Sequence, residues 1–152
     1  DGDHRDLHLS LRRQRQMCIR DRGKEADPSL LLGLGPGFTP SGDDILSGYT
    51  ACRNHLASTG LTRPLRVFPE GRTTWVSGKL IEYNQSLKVD STIEKALNSI
   101  SMGRPDLLTE ALLELAPRGH TSGPDMALGL LIALYETLGE VGTFFEKLFK
   151  VK

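Results

Sequence analysis

The sequence predicts a mainly α protein: a single helical domain of about five to six helices, with a glycine-rich loop leading into the first. Three observations carry this. Apolar residues recur at spacings of three and four through most of the chain beyond residue 40. Helix starts and stops punctuate these stretches. No convincing period-two strand pattern follows residue 30.

The elements follow in order. Leu30-Leu31-Leu32 is either a short strand or an apolar lead-in to the loop. From Ser41 the pattern is helical, with Ile45, Tyr49, Cys52 and Leu56 on one face, Ser41 or Asp43 as cap, and Gly60 at the end. Residues 60–72 contain Pro64, Pro69 and Gly71 and read as a loop. A second helix starts at Thr73 or Thr74, with Val76, Leu80, Ile81 and Tyr83 on one side. A third opens with the capping box Ser91-Thr92-Ile93-Glu94, carries Ile93, Leu97 and Ile100, and stops at Gly103. Pro105 suits the first turn of a fourth, whose core face is Leu108, Ala111, Leu112 and Leu115 and which Pro117 ends. The fifth runs from Pro124 to Leu138 and stops at Gly139. It is apolar almost all round, which predicts the buried central helix. Phe144 to Phe149 reads as a short last helix, and Trp75 as core or an edge contact.

Composition bounds the function. The chain has 152 residues, 38% hydrophobic and 25% charged, with a formal net charge of zero. That is enough for one modest domain with a real core, and it leaves no basic footprint for nucleic acid. The longest apolar stretch near the C-terminus, Met126 to Tyr135, is interrupted by Gly129 and too short to span a bilayer. No membrane partner is expected.

Leu9 to Arg22 resembles the translated read-through of a sequencing adapter. Residues 1–22 are therefore set aside as an artefactual leader, the other reading being a basic arm for an acidic partner. They hold six of the 19 basic and four of the 19 acidic residues, so residues 23–152 carry 13 and 15, a net charge of −2. Setting Cys18 aside leaves Cys52 without a disulfide partner, which predicts a reducing cytoplasm.

The chemistry concentrates in Gly33-Leu34-Gly35-Pro36-Gly37-Phe38-Thr39-Pro40-Ser41-Gly42-Asp43-Asp44. Glycines let backbone N–H groups turn toward a ligand, and the helix start adds more of them with a partial positive charge. A second segment, Arg118-Gly119-His120-Thr121-Ser122-Gly123-Pro124-Asp125, repeats the pattern. Both read Ser-Gly-x-Asp-x-x-x-Gly, from Ser41 to Gly48 and from Ser122 to Gly129. Ser caps, Gly leaves room for a ligand, Asp sits in the first turn, and the later Gly admits a close backbone. If the helices cross at Gly48 and Gly129, their N-termini converge on one site.

Caps and first-turn acids are also ordinary helix furniture. Two matched copies tip the reading toward a site. Asp43, Asp44, His120 and Asp125 are its candidate catalytic residues. Gly35, Gly37, Thr39, Ser41, Gly42, Thr121, Ser122 and Gly123 are its candidate substrate-binding residues. Asp43 and Asp44 can hold Mg²⁺ through oxygen, or one of them can serve as a base. Arg72 and Arg118 are either anion partners or solvated charges.

The two segments together resemble the AllH-like family, a domain of unknown function linked to anaerobic allantoin breakdown and the oxamate carbamoyltransferase assembly. Thr73-Thr74-x-x-Ser77 is similar to a family segment between them. The likeness covers about Leu30 to Leu138 and departs at Pro124, where a bulky residue such as Trp is expected. Family members are longer, so residues 23–152 read as the C-terminal part of an AllH-like protein.

The resemblance implies carbamoyl transfer between oxalurate and phosphate on one side and oxamate and carbamoyl phosphate on the other. It implies a small anionic substrate and a hetero-oligomer with other transferase subunits. Phosphate then falls to the backbone around Gly35, Gly37, Ser41 and Gly42. The other anion falls to Thr121, Ser122 and Gly123, with His120 as oxyanion donor. Three rivals stand beside it. One is a ribokinase-like kinase, which needs strands ahead of the motif. Another is a Mg²⁺-dependent all-α hydrolase resembling the ADP-ribosylglycohydrolases. The third is a subunit that only scaffolds a larger transferase.

Overall fold

The computed structural model describes residues 27–149. A 3-10 turn at Pro28–Leu31 comes first. Five α-helices follow: α1 (Ser41–Ser58), α2 (Trp75–Gln85), α3 (Ser91–Ser101), α4 (Pro105–Leu115) and α5 (Ser122–Phe149). Among the described residues there is no strand, as the sequence predicts. The leader of residues 1–22 lies outside the described residues.

The central helix is α1, not the apolar α5. Every residue from Gly42 to Arg53 is buried. One side of α1 meets Leu31, Leu32, Val67 and Ile81 through Ile45 and Leu46. The other side joins Tyr49, Cys52 and Leu56 to Ile93, Leu97, Ala111, Leu115, Leu130 and Ala133. By contrast, Leu131 and Tyr135 on α5 are 41% and 80% exposed. Apolar content therefore misassigns the centre. α1 can be buried all round because its polar side chains find partners inside. Ser47 Oγ accepts from Asn84 Nδ2 at 2.6 Å, and Thr50 Oγ1 donates to the Ser47 carbonyl.

Two glycines set how closely α1 and α5 cross. A Cβ on Gly48 would overlap the carbonyl oxygen of Met126, and one on Gly129 would overlap that of Ile45. Backbone therefore meets backbone at the crossing, and no other residue fits without moving a helix. Tyr49 Oη adds a hydrogen bond to Glu136 Oε2 at 2.6 Å across the same interface.

Several boundaries differ from expectation. Asp90, not Ser91, caps α3: its carboxylate accepts from the N–H groups of Thr92 and Ile93. Two capping residues stand side by side there, and the earlier one wins. Gly139 does not stop α5, which continues through the segment read as a separate last helix. Glycine merely weakens a helix interior unless the chain turns left-handed there. The buried face of α2 is Ser77, Ile81 and Asn84, leaving Val76 and Tyr83 exposed. Trp75 is 77% exposed and so is not core. The leucines after residue 29 close the 3-10 turn rather than a strand.

The stretch between α1 and α2 runs extended but is well tied. Asn54 accepts from Leu65 N–H and donates to the carbonyls of Leu65 and Gln85. The Gln85 side chain pairs with both backbone groups of Val67, at 2.9 and 3.1 Å. These bonds anchor α2 against α1, which in turn holds the glycine loop from behind.

Candidate functional site

The glycine loop is pinned by the helix start that follows it and by α2. Gly33, Gly35 and Gly37 all adopt positive φ, the left-handed region that suits glycine. Asp43 Oδ1 accepts from Gly33 N–H at 2.8 Å, and its Oδ2 accepts from the Thr73 hydroxyl. The Thr74 and Ser77 hydroxyls both donate to the Phe38 carbonyl, at 2.6 and 3.3 Å. Thr74 also caps α2 by accepting from Ser77 N–H. The Thr73-Thr74-x-x-Ser77 segment thus acquires a physical role that the sequence left blank: it fastens the loop. The signal was a hydroxyl pair at a helix N-cap, with no clue to its partner.

Neither Ser41 nor Asp43 caps α1. Pro40 occupies the N-cap position without a side-chain bond, and Asp43 turns back to the loop. The two adjacent acids therefore have different jobs. Both oxygens of Asp43 are satisfied within the fold. Asp44 instead crosses to the second motif, where its Oδ2 accepts from Ser122 Oγ at 2.7 Å. Ser122 Oγ also lies 3.2 Å from Thr39 Oγ1, so three segments meet at one hydroxyl.

This contact brings the first turns of α1 and α5 together, with Asp125 one turn along from Ser122. The crossing at Gly48 and Gly129 makes the approach possible. Asp44 is 0% exposed, yet its Oδ1 has no hydrogen-bond partner, and buried Oδ2 of Asp125 is in the same condition. Burial is the main force raising the Asp44 carboxyl, with the charges of Asp125 and Asp43 adding to it. The hydroxyls of Ser122 and Thr39 pull it down, and the balance pushes it up to about 6. Burial raises Asp125 as well, opposed by the Ser41 and Thr121 hydroxyls.

The backbone donors divide into used and open. Gly42 N–H donates to the Leu34 carbonyl and Gly123 N–H to the Arg118 carbonyl. The space a Cβ would fill at Gly42 is taken by the Leu31 carbonyl, and at Gly123 by the Leu115 carbonyl. These two glycines make room for the protein's own backbone rather than for a ligand. Among the described residues, the N–H groups of Gly35, Gly37, Ser41, Thr121 and Ser122 donate to no protein acceptor.

The remaining candidates scatter. His120 is exposed in the turn before α5. Arg118 pairs with Asp90 at 2.8 Å and donates to Thr92 Oγ1, which commits it to the start of α3. Arg72 donates to the Ser29 carbonyl and braces the 3-10 turn. Among the described residues, no three His, Cys, Asp or Glu side chains gather where a metal ion could be held. Cys52 is a buried free thiol that burial pushes up to about 12, so it is inert. A cavity of about 290 Å³ beside Phe68, Tyr83 and Lys88 includes none of the candidate residues.

Residues 31–134 match the model of oxamate carbamoyltransferase subunit AllH. The chain belongs to the AllH family. The match spans both Ser-Gly-x-Asp-x-x-x-Gly segments and the Thr73–Ser77 fastening between them, the same residues that build the site. AllH is described as a subunit, which links this chain to a carbamoyltransferase assembled with other subunits. No solved structure matches the chain. Among the described residues, no helix is long and apolar enough to cross a membrane.

Proposed function

We propose that the paired helix N-termini bind the small anions of carbamoyl transfer, oxalurate or oxamate together with phosphate or carbamoyl phosphate. The observation that carries this is the Ser122–Asp44 hydrogen bond at 2.7 Å, which sets the first turns of α1 and α5 side by side. Helix N-termini offer open N–H donors and partial positive charge to an anion. Backbone N–H groups of Gly35, Gly37 and Ser41 take the phosphate. Thr121 and Ser122 take the carboxylate of the second anion.

In phosphorolysis, a phosphate oxygen attacks the ureido carbonyl carbon of oxalurate. The bond from that carbon to the oxamate nitrogen breaks, and the nitrogen gains a proton. Carbamoyl phosphate and oxamate result. Negative charge develops on the ureido oxygen, where fixed N–H donors and His120 would stabilise it. Asp44, poised near neutrality, is placed to give the proton forward and to take it in reverse. The protein works in the cytoplasm alongside other transferase subunits, without nucleic acid or membrane.

The test is oxalurate phosphorolysis by the full chain, alone and co-expressed with its partner subunits, read as carbamoyl phosphate formed. Asp44→Asn and Ser122→Ala should each lower turnover at least about a hundredfold, the usual loss when a general acid or its orienting donor goes. Turnover in the assembly that neither substitution changes would assign the chain a scaffolding role instead.

A further inference from the structure

We infer that Asp44 and Asp125 form an acceptor pair that reads the N–H edge of the substrate, so that the site takes a carboxamide or carbamoyl group and rejects its methyl isostere. This rests on the anion reading above and names which end of the ligand meets which residues. An anion cradle alone has no use for two carboxylates beside it, because they repel the ligand it gathers. Their placement makes sense if the ligand turns a donor toward them.

Asp44 is wholly buried; Ser122 Oγ donates to its Oδ2, and its Oδ1 has no donor. Buried Oδ2 of Asp125 likewise lacks one. An ionised carboxylate is an acceptor only, and a buried one left unpaired costs about 1–3 kcal/mol or more. The neighbouring hydroxyls, Thr39 and Ser122 beside Asp44 and Ser41 and Thr121 beside Asp125, leave these two oxygens without a donor. A planar –NH₂ presents two N–H donors, the complement of carboxylate oxygens that lack a donor. Access for a ligand requires the Thr39–Ser122 contact to part. The raised pKa values agree, since ionised oxygens lacking donors are disfavoured until a donor arrives.

Oxamate and pyruvate make a clean pair of probes. They share charge, size and carboxylate, and differ in –NH₂ against –CH₃. Calorimetric titration of the full chain at pH 7.5 should show oxamate binding at least about a hundredfold tighter than pyruvate, as sites built around a donor reject analogues lacking it. Asp44→Asn and Asp125→Asn should narrow that ratio to about fivefold or less, with circular dichroism unchanged. Equal affinity for both probes in the unmodified chain would overturn the acceptor pair and leave the anion cradle standing. Variants that keep the full ratio would show that the two carboxyls merely share a proton, and would overturn it too. No binding of either probe would remove the anion reading and this inference with it.

Discussion

Asp44→Asn should make the ligand-free protein more stable at neutral pH, although it removes a residue central to the candidate site. The carboxyl is pushed from an ordinary 3.8 up to about 6 in the folded protein, chiefly by burial. A group whose folded value lies above its unfolded one binds its proton more tightly when folded. Its contribution to stability is therefore full below about pH 4 and is lost as pH rises through about 6. At about 1.4 kcal/mol per unit, the two values imply a penalty of about 3 kcal/mol above pH 6. Asparagine never ionises, keeps an oxygen to accept from Ser122, and places an N–H₂ where Oδ1 has no partner. Urea melts at pH 4.5, 6.0 and 7.5 measure the difference. The variant should gain about 1–3 kcal/mol at pH 7.5 and nearly nothing at pH 4.5. A variant less stable than the parent at pH 7.5, or a difference that does not change with pH, would refute the ionisation penalty.

Asp43 should behave in the opposite sense. Asp43→Asn presents an N–H₂ to the donors of Gly33 or Thr73, and denaturant melts should show a loss of about 1–3 kcal/mol with the loop amides exchanging faster. Gly48→Ala and Gly129→Ala should each cost about 3 kcal/mol or more in the same melts, because the obstruction is backbone and cannot swing aside. Gly139→Ala, inside α5 with open space around it, should instead gain up to about 1 kcal/mol; a loss there would argue that the helix breaks at Gly139 after all.

The pairing of the two helix starts was legible because it is written as a repeat. Ser-Gly-x-Asp-x-x-x-Gly occurs twice, and the last Gly of each copy has one physical reading, close backbone approach, which the crossing at Gly48 and Gly129 bears out. What the first Gly of each copy does was not legible. Gly42 and Gly123 open space for their own chain's carbonyls, and nothing local distinguishes that from space for a ligand. The split between Asp43 and Asp44 was hidden for a related reason. Adjacent residues on a helix point about 100° apart, so one acid returns to the loop and the other crosses to Ser122. The centre of the fold was misread because hydrophobicity stood in for burial. Ser47 and Asn84 are buried polar residues that pair with each other from 37 positions apart along the chain. The Asp90 cap and the passage of α5 through Gly139 turn on competition between neighbouring signals that spacing alone does not rank.

Convergence of two helix N-termini on one small anion is tested most directly by amide chemical shifts. The chain is 16.7 kDa, within easy reach of nitrogen-15 spectra. On titration with oxamate, the amides of Gly35, Gly37 and Ser41 should move together with those of Thr121 and Ser122, along one saturation curve. Shifts confined to one of the two segments, or centred on the groove beside Phe68 and Tyr83, would contradict a shared site.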